Sequence, residues 1–230
     1  MSNLLLILAV LPGILLMVKV YRADRIEKEP LGLLVLLLLL GAVVCLPVSI
    51  VEVVLSNVFT SLIPAGRLLR IVDYFVGVAL IEELGKFLVT KICTWKNKNF
   101  NYQFDAIVYT VTSALGFAIL ENIFYVSQGG LQTALLRSVL SVPGHAIFGL
   151  FMGVSYGVAK RCELRGDKKG KRRNLFFAIL NPTILHGIYD FCLSEGTTSA
   201  SIVFLIFVLV LYINAWKLLK RKALEDMPLE

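Results

Sequence analysis

Long apolar segments, separated by short polar connections, follow one another along almost the whole chain. The stretches Leu31–Leu46 and Ser201–Ile213 contain no charged residue. An α-helix rises about 1.5 Å per residue, so about 20 apolar residues cross the hydrocarbon layer of a bilayer. The pattern therefore predicts an all-α transmembrane bundle of about seven spans. They cover residues 3–20, 31–55, 68–92, 104–127, 132–159, 174–193 and 198–216.

Lysine and arginine are distributed unevenly among the connections between these spans. Nineteen lysines and arginines lie in the C-terminal tail or in connections predicted to share its side of the membrane. Only Arg67 and Arg70 lie in a connection on the opposite side. Positive charge is retained in the cytoplasm. The count predicts an N-terminus outside and a cytoplasmic C-terminus. The first span has no basic segment before it and no small-residue cleavage site after it, so it is expected to be retained.

The composition agrees with a membrane protein and limits its partners. The 230 residues are 57% hydrophobic and 17% charged, whereas a soluble domain is roughly 45–50% apolar and 25% charged. The net charge of +7 lies mainly in the connections, which is typical of topology signals and not of a nucleic-acid interface. We expect one multi-pass domain, residues 1–230, whose basic connections contact membrane lipids.

The third span carries charges that are costly inside a bilayer. Glu82, Glu83 and Lys86 lie in its middle, and on the insertion scale three such charges cost on the order of 8–10 kcal/mol before any pairing. Lys86 lies four residues after Glu82 and three after Glu83, so it can reach either carboxylate. A structural ion pair needs only one glutamate. The second carboxylate is therefore a candidate for proton transfer.

Polar residues also interrupt the next three spans. The chain has only two histidines, and both lie in the middle of apolar spans. His186 and Asp190 are four residues apart, so the carboxylate can orient the imidazole. Glycines follow His145 at four-residue steps and predict a close helix crossing on the same face. The candidate site residues in these spans are Glu121, Asn122, Arg137, His145, His186 and Asp190.

Taken in order, these motifs resemble the PrsW family of intramembrane proteases, which is related to the type II CAAX prenyl endopeptidases. The chain contains EExxK at 82–86, FxxxEN at 117–122, PGHAIFG around His145 and HxxxD at 186–190. Each motif alone is weak, but the ordered set on successive spans is specific. The resemblance implies an endopeptidase of the bacterial cytoplasmic membrane with a catalytic core at about 68–193. It also implies a role in stress response, as the protease that makes the first, extracytoplasmic cut in a single-span anti-sigma factor.

Two mechanisms fit the candidate residues, and the favoured one needs no cofactor. In it, Glu82 or Glu83 is the general base, His145 positions the water, and His186 stabilises the oxyanion with help from its aspartate. Lys86 holds the two carboxylates in place.

The second mechanism uses zinc. Glu121, His145 and His186 would bind the ion, and one of the paired glutamates would activate its water. The absence of an HExxH motif and the origin of these ligands on three helices favour the mechanism without metal.

Two functions of another class remain open at this point. Intramembrane carboxylates and histidines also serve proton-coupled transporters and channels, although the sequence shows no paired halves of the kind transporters have. A non-catalytic scaffold that binds transmembrane segments is the third possibility. Glu52 and Asp73 are expected to lie at solvated span ends. Asp105 is expected at a helix N-terminus, where the dipole favours a carboxylate.

Overall fold

A computed structural model describes residues 2–229, and within them every regular element is helical. This confirms the predicted all-α class. Five stretches are long and apolar enough to cross a membrane: Asn3–Ala23, Leu31–Leu62, Asp105–Leu164, Lys168–Ser194 and Thr198–Leu224. The helices are α1 (Asn3–Ala23), α2 (Leu31–Leu62), α3 (Arg67–Val72), α4 (Leu80–Thr94), α5 (Asp105–Val139), α6 (Ser141–Leu164), α7 (Lys168–Ser194) and α8 (Thr198–Leu224).

The predicted third span is divided into three pieces. It consists of α3, a π-helical segment at Asp73–Ala79, and α4. Short π-helical segments are frequently found at functional sites. Glu82 and Glu83 lie in the first turn of α4, directly after this segment.

Gly130 divides α5 into two arms. Its φ of 66° lies in the left-handed region, which glycine adopts readily. Arg137 Nη2 lies 2.6 Å from Glu121 Oε2, although 16 residues of straight helix would separate them by about 24 Å. The chain therefore turns back at Gly130, where the sequence predicts a connection. The count of seven spans, their orientation and the core at 68–193 stay predictions.

The first arm of α5 is the centre of the bundle, since it packs against α1, α2, α4 and α6. The predicted glycine stripe of α6 lets α6 pack closely against the backbone of α5. A Cβ placed on Gly153 would lie 2.6 Å from Ile107 Cα, so a larger residue does not fit. Exposed apolar side chains line α1, α2 and α8, as expected for lipid-facing helices.

The connections meet in two groups at opposite ends of the bundle. At one end Asn101 donates to Glu27 at 2.9 Å, and its carbonyl accepts from the N–H of Leu229 at 2.9 Å. At the other end Arg70 donates to Glu195 at 3.0 Å. The first group joins connections predicted to share the cytoplasmic side, and the second joins connections predicted to lie outside.

Candidate active site

Lys86 lies at the centre of the buried polar groups. Its Nζ lies 2.8 Å from Glu82 Oε2 and 2.8 Å from Glu83 Oε1, both on its own helix. A third contact, at 2.9 Å, reaches His145 Nδ1 on α6. The Lys86 side chain is fully buried, and all three ammonium protons have an acceptor. Helical spacing produces the first two contacts, and the packing of α6 on α4 produces the third.

His145 joins this lysine to a second carboxylate. An ammonium group only donates, so the Nδ1 that faces Lys86 is the acceptor. The ring proton is then on Nε2, which lies 3.0 Å from Glu121 Oε2. The contacts of His145 thus define a neutral ring with one tautomer.

His186 has carboxylates on both ring nitrogens. Nδ1 lies 3.1 Å from Glu83 Oε1, and Nε2 lies 3.2 Å from Asp190 Oδ2. Because carboxylates accept hydrogen bonds, this environment favours a ring that is protonated on both nitrogens. Phe148 stacks on the ring with centroids 4.8 Å apart and fixes its orientation.

Arg137 holds the remaining predicted residues. Its Nη2 donates to Glu121, and its Nε donates to Asn122 Oδ1 at 2.9 Å. Asn122 in turn donates from Nδ2 to the carbonyl of Ala9 at 2.9 Å, which ties the group to α1. The planar guanidinium suits this use because it presents two donors in fixed directions.

A cavity of about 360 Å³ opens above these groups. His145, His186, Glu121 and Arg137 line it, whereas the paired glutamates and Lys86 lie beneath its floor. Of the two glutamates, the Glu82 side chain keeps 4% exposure and the Glu83 side chain none. The other lining residues are Glu52, Tyr74, Val78, Tyr125, Leu136, Leu140, Ser141, Phe148, Tyr189, Asp190 and Leu193.

Glu52 is a cavity residue that the sequence did not single out. The expectation of a solvated span end is wrong, because α2 continues to Leu62, beyond the predicted end at residue 55. Glu52 Oε1 is buried and has no hydrogen-bond partner. Asp73 is half-buried: its Oδ1 is buried without a hydrogen-bond partner, and its Oδ2 accepts from Ser56 at 3.4 Å. The sequence contains a signal for Glu52, because burying a carboxylate in an apolar helix costs as much free energy in α2 as in α5.

Four of the buried groups form a compact set of possible metal donors. Glu82, Glu83, His145 and His186 each offer one atom within 4.8 Å of the others. Glu121, which the zinc mechanism requires, lies outside this set and is held by Arg137. Imidazole and carboxylate donors suit zinc. Lys86 Nζ, however, contacts three of the four residues, so an ammonium group already takes the position of a cation. In this arrangement the residues do not fit a metal ion.

An apolar helix bundle that buries carboxylates, a lysine and two histidines beneath a polar cavity defines a multi-pass membrane protein with an enzyme-like site. The chain belongs to the PrsW family: the description "PrsW family intramembrane metalloprotease" matches residues 29–215. It is therefore a peptidase of the membrane, and family membership favours this function over a transporter or channel.

Proteins named as proteases are similar to this chain over most of their length. "Protease PrsW" of Oceanobacillus iheyensis is 34% identical over 212 residues, 91% of this chain and 92% of that protein. "Protease PrsW" of Clostridioides difficile is 35% identical over 223 residues, 94% of this chain and 90% of that protein. The Bacillus subtilis protein of the same name is 31% identical over 183 residues, 80% of this chain and 79% of that protein. No solved structure matches the chain.

Proposed function

We propose that this peptidase makes the first cut in a membrane-anchored, single-span protein of the anti-sigma-factor type, on the extracytoplasmic side. The observation that carries the proposal is the cavity above the buried cluster. Under the predicted orientation its lining from α2, the π-helical segment, α5, α6 and α7 belongs to the outer half of the bilayer. A segment unwound at that depth would reach the polar groups without crossing the membrane.

In this proposal Glu82 is the general base. Its side chain keeps a small exposure, while Glu83 is sealed and occupied by Lys86 and His186. Glu82 removes a proton from a water at the cavity floor and later delivers it to the leaving amine. Glu83 then acts as a positioning residue for His186.

The remaining groups orient the water and stabilise charge. His145 and Glu121, joined through Nε2, border the floor and orient the attacking water. His186, held by Asp190, supplies positive charge beside the carbonyl oxygen as it becomes an oxyanion. Arg137 keeps the Glu121 carboxylate in place.

The proposed reaction needs no metal, because Lys86 supplies the positive charge that a metal would bring to the two carboxylates. Metal analysis of the purified, active protein tests this point. We expect no stoichiometric zinc and no loss of cleavage with a chelator. Tightly held zinc, with activity lost on chelation and regained with zinc, would overturn it.

Co-expression with a candidate single-span anti-sigma factor tests the function itself. We expect Glu82→Gln to abolish cleavage at an unchanged protein level. Glu225→Gln, a change of the same kind at a half-exposed position, is the matched control and should cleave normally. Normal cleavage by Glu82→Gln would refute the assignment of Glu82 as the general base.

A further inference from the structure

A second acidic cluster lies at the end of the bundle predicted to be cytoplasmic. It consists of Asp24, just after α1, Glu29, just before α2, and Asp105, the first residue of α5. Their exposed fractions are 2%, 2% and 0%. One carboxylate oxygen from each lies within 4.8 Å of the others. Three acidic side chains from separate segments thus converge on one buried point.

The existing hydrogen bonds leave several of these oxygens free. The Tyr109 hydroxyl donates to Glu29 Oε2, and the N–H groups of Asn101 and Tyr102 donate to Asp105 Oδ2 at 3.0 and 2.7 Å. Asp105 Oδ1 and both carboxylate oxygens of Asp24 are buried and accept no hydrogen bond of good geometry, although the N–H groups of Ile26 and Glu27 lie near the Asp24 carboxylate. Buried polar groups are nearly always hydrogen-bonded, and buried charges are paired or bind metals. Asp24 in particular points an unpaired carboxylate at two others.

No cation makes direct contact with the three carboxylates within the described chain. Lys28 is the nearby lysine, but its Nζ donates to the main-chain carbonyls of Tyr21, at 2.8 Å, and of Asp24. It therefore neutralises the C-terminal end of α1. Within residues 2–229, no lysine, arginine or histidine nitrogen lies within 4.0 Å of the three carboxylates.

We propose that Asp24, Glu29 and Asp105 bind a hard divalent cation, Mg²⁺ or Ca²⁺. Both ions take carboxylate oxygens as ligands and complete their shells with water or carbonyl oxygens. The cluster has no histidine or cysteine, so it does not suit zinc. The ion joins the α1–α2 connection to the start of α5, at the opposite end of that arm from Glu121. Its role is to hold the central helix in place, and it is separate from the peptidase site.

The parent protein provides the first test. The full-length chain is purified in detergent, stripped with a chelator, and titrated with Mg²⁺, with Ca²⁺, or with NaCl at matched ionic strength. We expect the unfolding temperature to rise saturably with at least one divalent ion and not with NaCl. Bound Tb³⁺ should luminesce through energy transfer from Tyr109, and the effective divalent ion should displace it. No response to either ion would overturn the proposal and indicate that the carboxyl groups share protons.

Two variants test the assignment of the ligands. Asp24→Asn should weaken the cation response about tenfold or more, because fewer charged ligands lower the affinity. In chelator this variant should unfold at or above the temperature of the parent, since it removes an unpaired buried charge. Glu27→Gln makes the same kind of change at an exposed position of the same connection and should respond like the parent. If both variants lost the cation response equally, the ions would be binding generally to the protein surface, and the proposed site would be refuted.

Discussion

Lys86→Met removes the ammonium group that holds the buried cluster together. The side chain is fully buried, and its Nζ lies 2.8, 2.8 and 2.9 Å from two carboxylates and an imidazole. Methionine fills a similar volume without charge. Glu82 and Glu83 then remain as neighbouring buried carboxylates, with His186 as their only close cationic partner among the described residues.

The expected cost follows from the burial of the pair. Removing one partner of a buried ion pair destabilises a protein by about 3–5 kcal/mol, because the other charge is left uncompensated. For a chain of this size each kcal/mol lowers the unfolding temperature by about 2–4 °C. We therefore expect Lys86→Met to unfold on the order of 10 °C lower and to lose cleavage, because the carboxylates take up a proton or move apart.

The assay is thermal unfolding in detergent together with substrate cleavage. Lys91→Met, one and a half turns further along α4 at a partly exposed position, is the matched control. Adding Glu82→Gln to Lys86→Met should recover part of the lost stability, because the double variant removes both charges of one pair. It should not recover cleavage. Surface substitutions change the free energy of unfolding by no more than about 0.5 kcal/mol. If the change for Lys86→Met is as small as that, the lysine does not neutralise the glutamates and the reasoning fails.

Three further predictions follow from other contacts in the structure. Asp190→Asn should lower kcat about 10–100-fold with little change in KM, as loss of a group that orients a site histidine does; steady-state cleavage kinetics measure it. Arg137→Lys should not restore the cleavage lost in Arg137→Met, because one ammonium cannot span both guanidinium contacts; cleavage at equal protein level checks this. Gly153→Val should destabilise by about 1–3 kcal/mol, whereas Gly32→Val, with no atom within 4 Å, should not; thermal unfolding compares them.

The contacts that sequence spacing could predict lie within one turn of a single helix. A period of 3.6 residues places Lys86 beside both glutamates and Asp190 beside His186, and the structure contains those pairs. These pairs can be predicted from their spacing in the sequence without knowing the fold. The same is true of the helix break at Gly130, where a glycine pair interrupts the apolar pattern.

The contacts that could not be predicted depend on how helices are placed against each other. Lys86 contacts His145 only because α4 and α6 lie side by side with these two residues at the same level along their axes. Arg137 contacts Glu121 only because the chain reverses direction at Gly130. Glu52 faces the cavity because α2 is longer than its apolar core suggested. If any of these helices were shifted by one residue, its polar side chain would point about 100° away from its present direction around the helix axis. The composition of a helix does not determine which residue faces its neighbour.

The two acidic clusters differ in the source of the charge that neutralises them. At the cavity the chain supplies its own cations, Lys86 to the buried glutamates beneath the floor and Arg137 to Glu121 in the lining. Ions enter a hydrocarbon layer only at high cost, so carboxylates at that depth depend on charges built into the fold. Asp24 and Asp105 lie at the predicted membrane surface, closer to water and its ions, and there the described chain places no cationic nitrogen within 4.0 Å of their carboxylates. A built-in ammonium suits a site whose carboxylates must stay ionised, whereas an exchangeable ion suits a site that holds helix ends together.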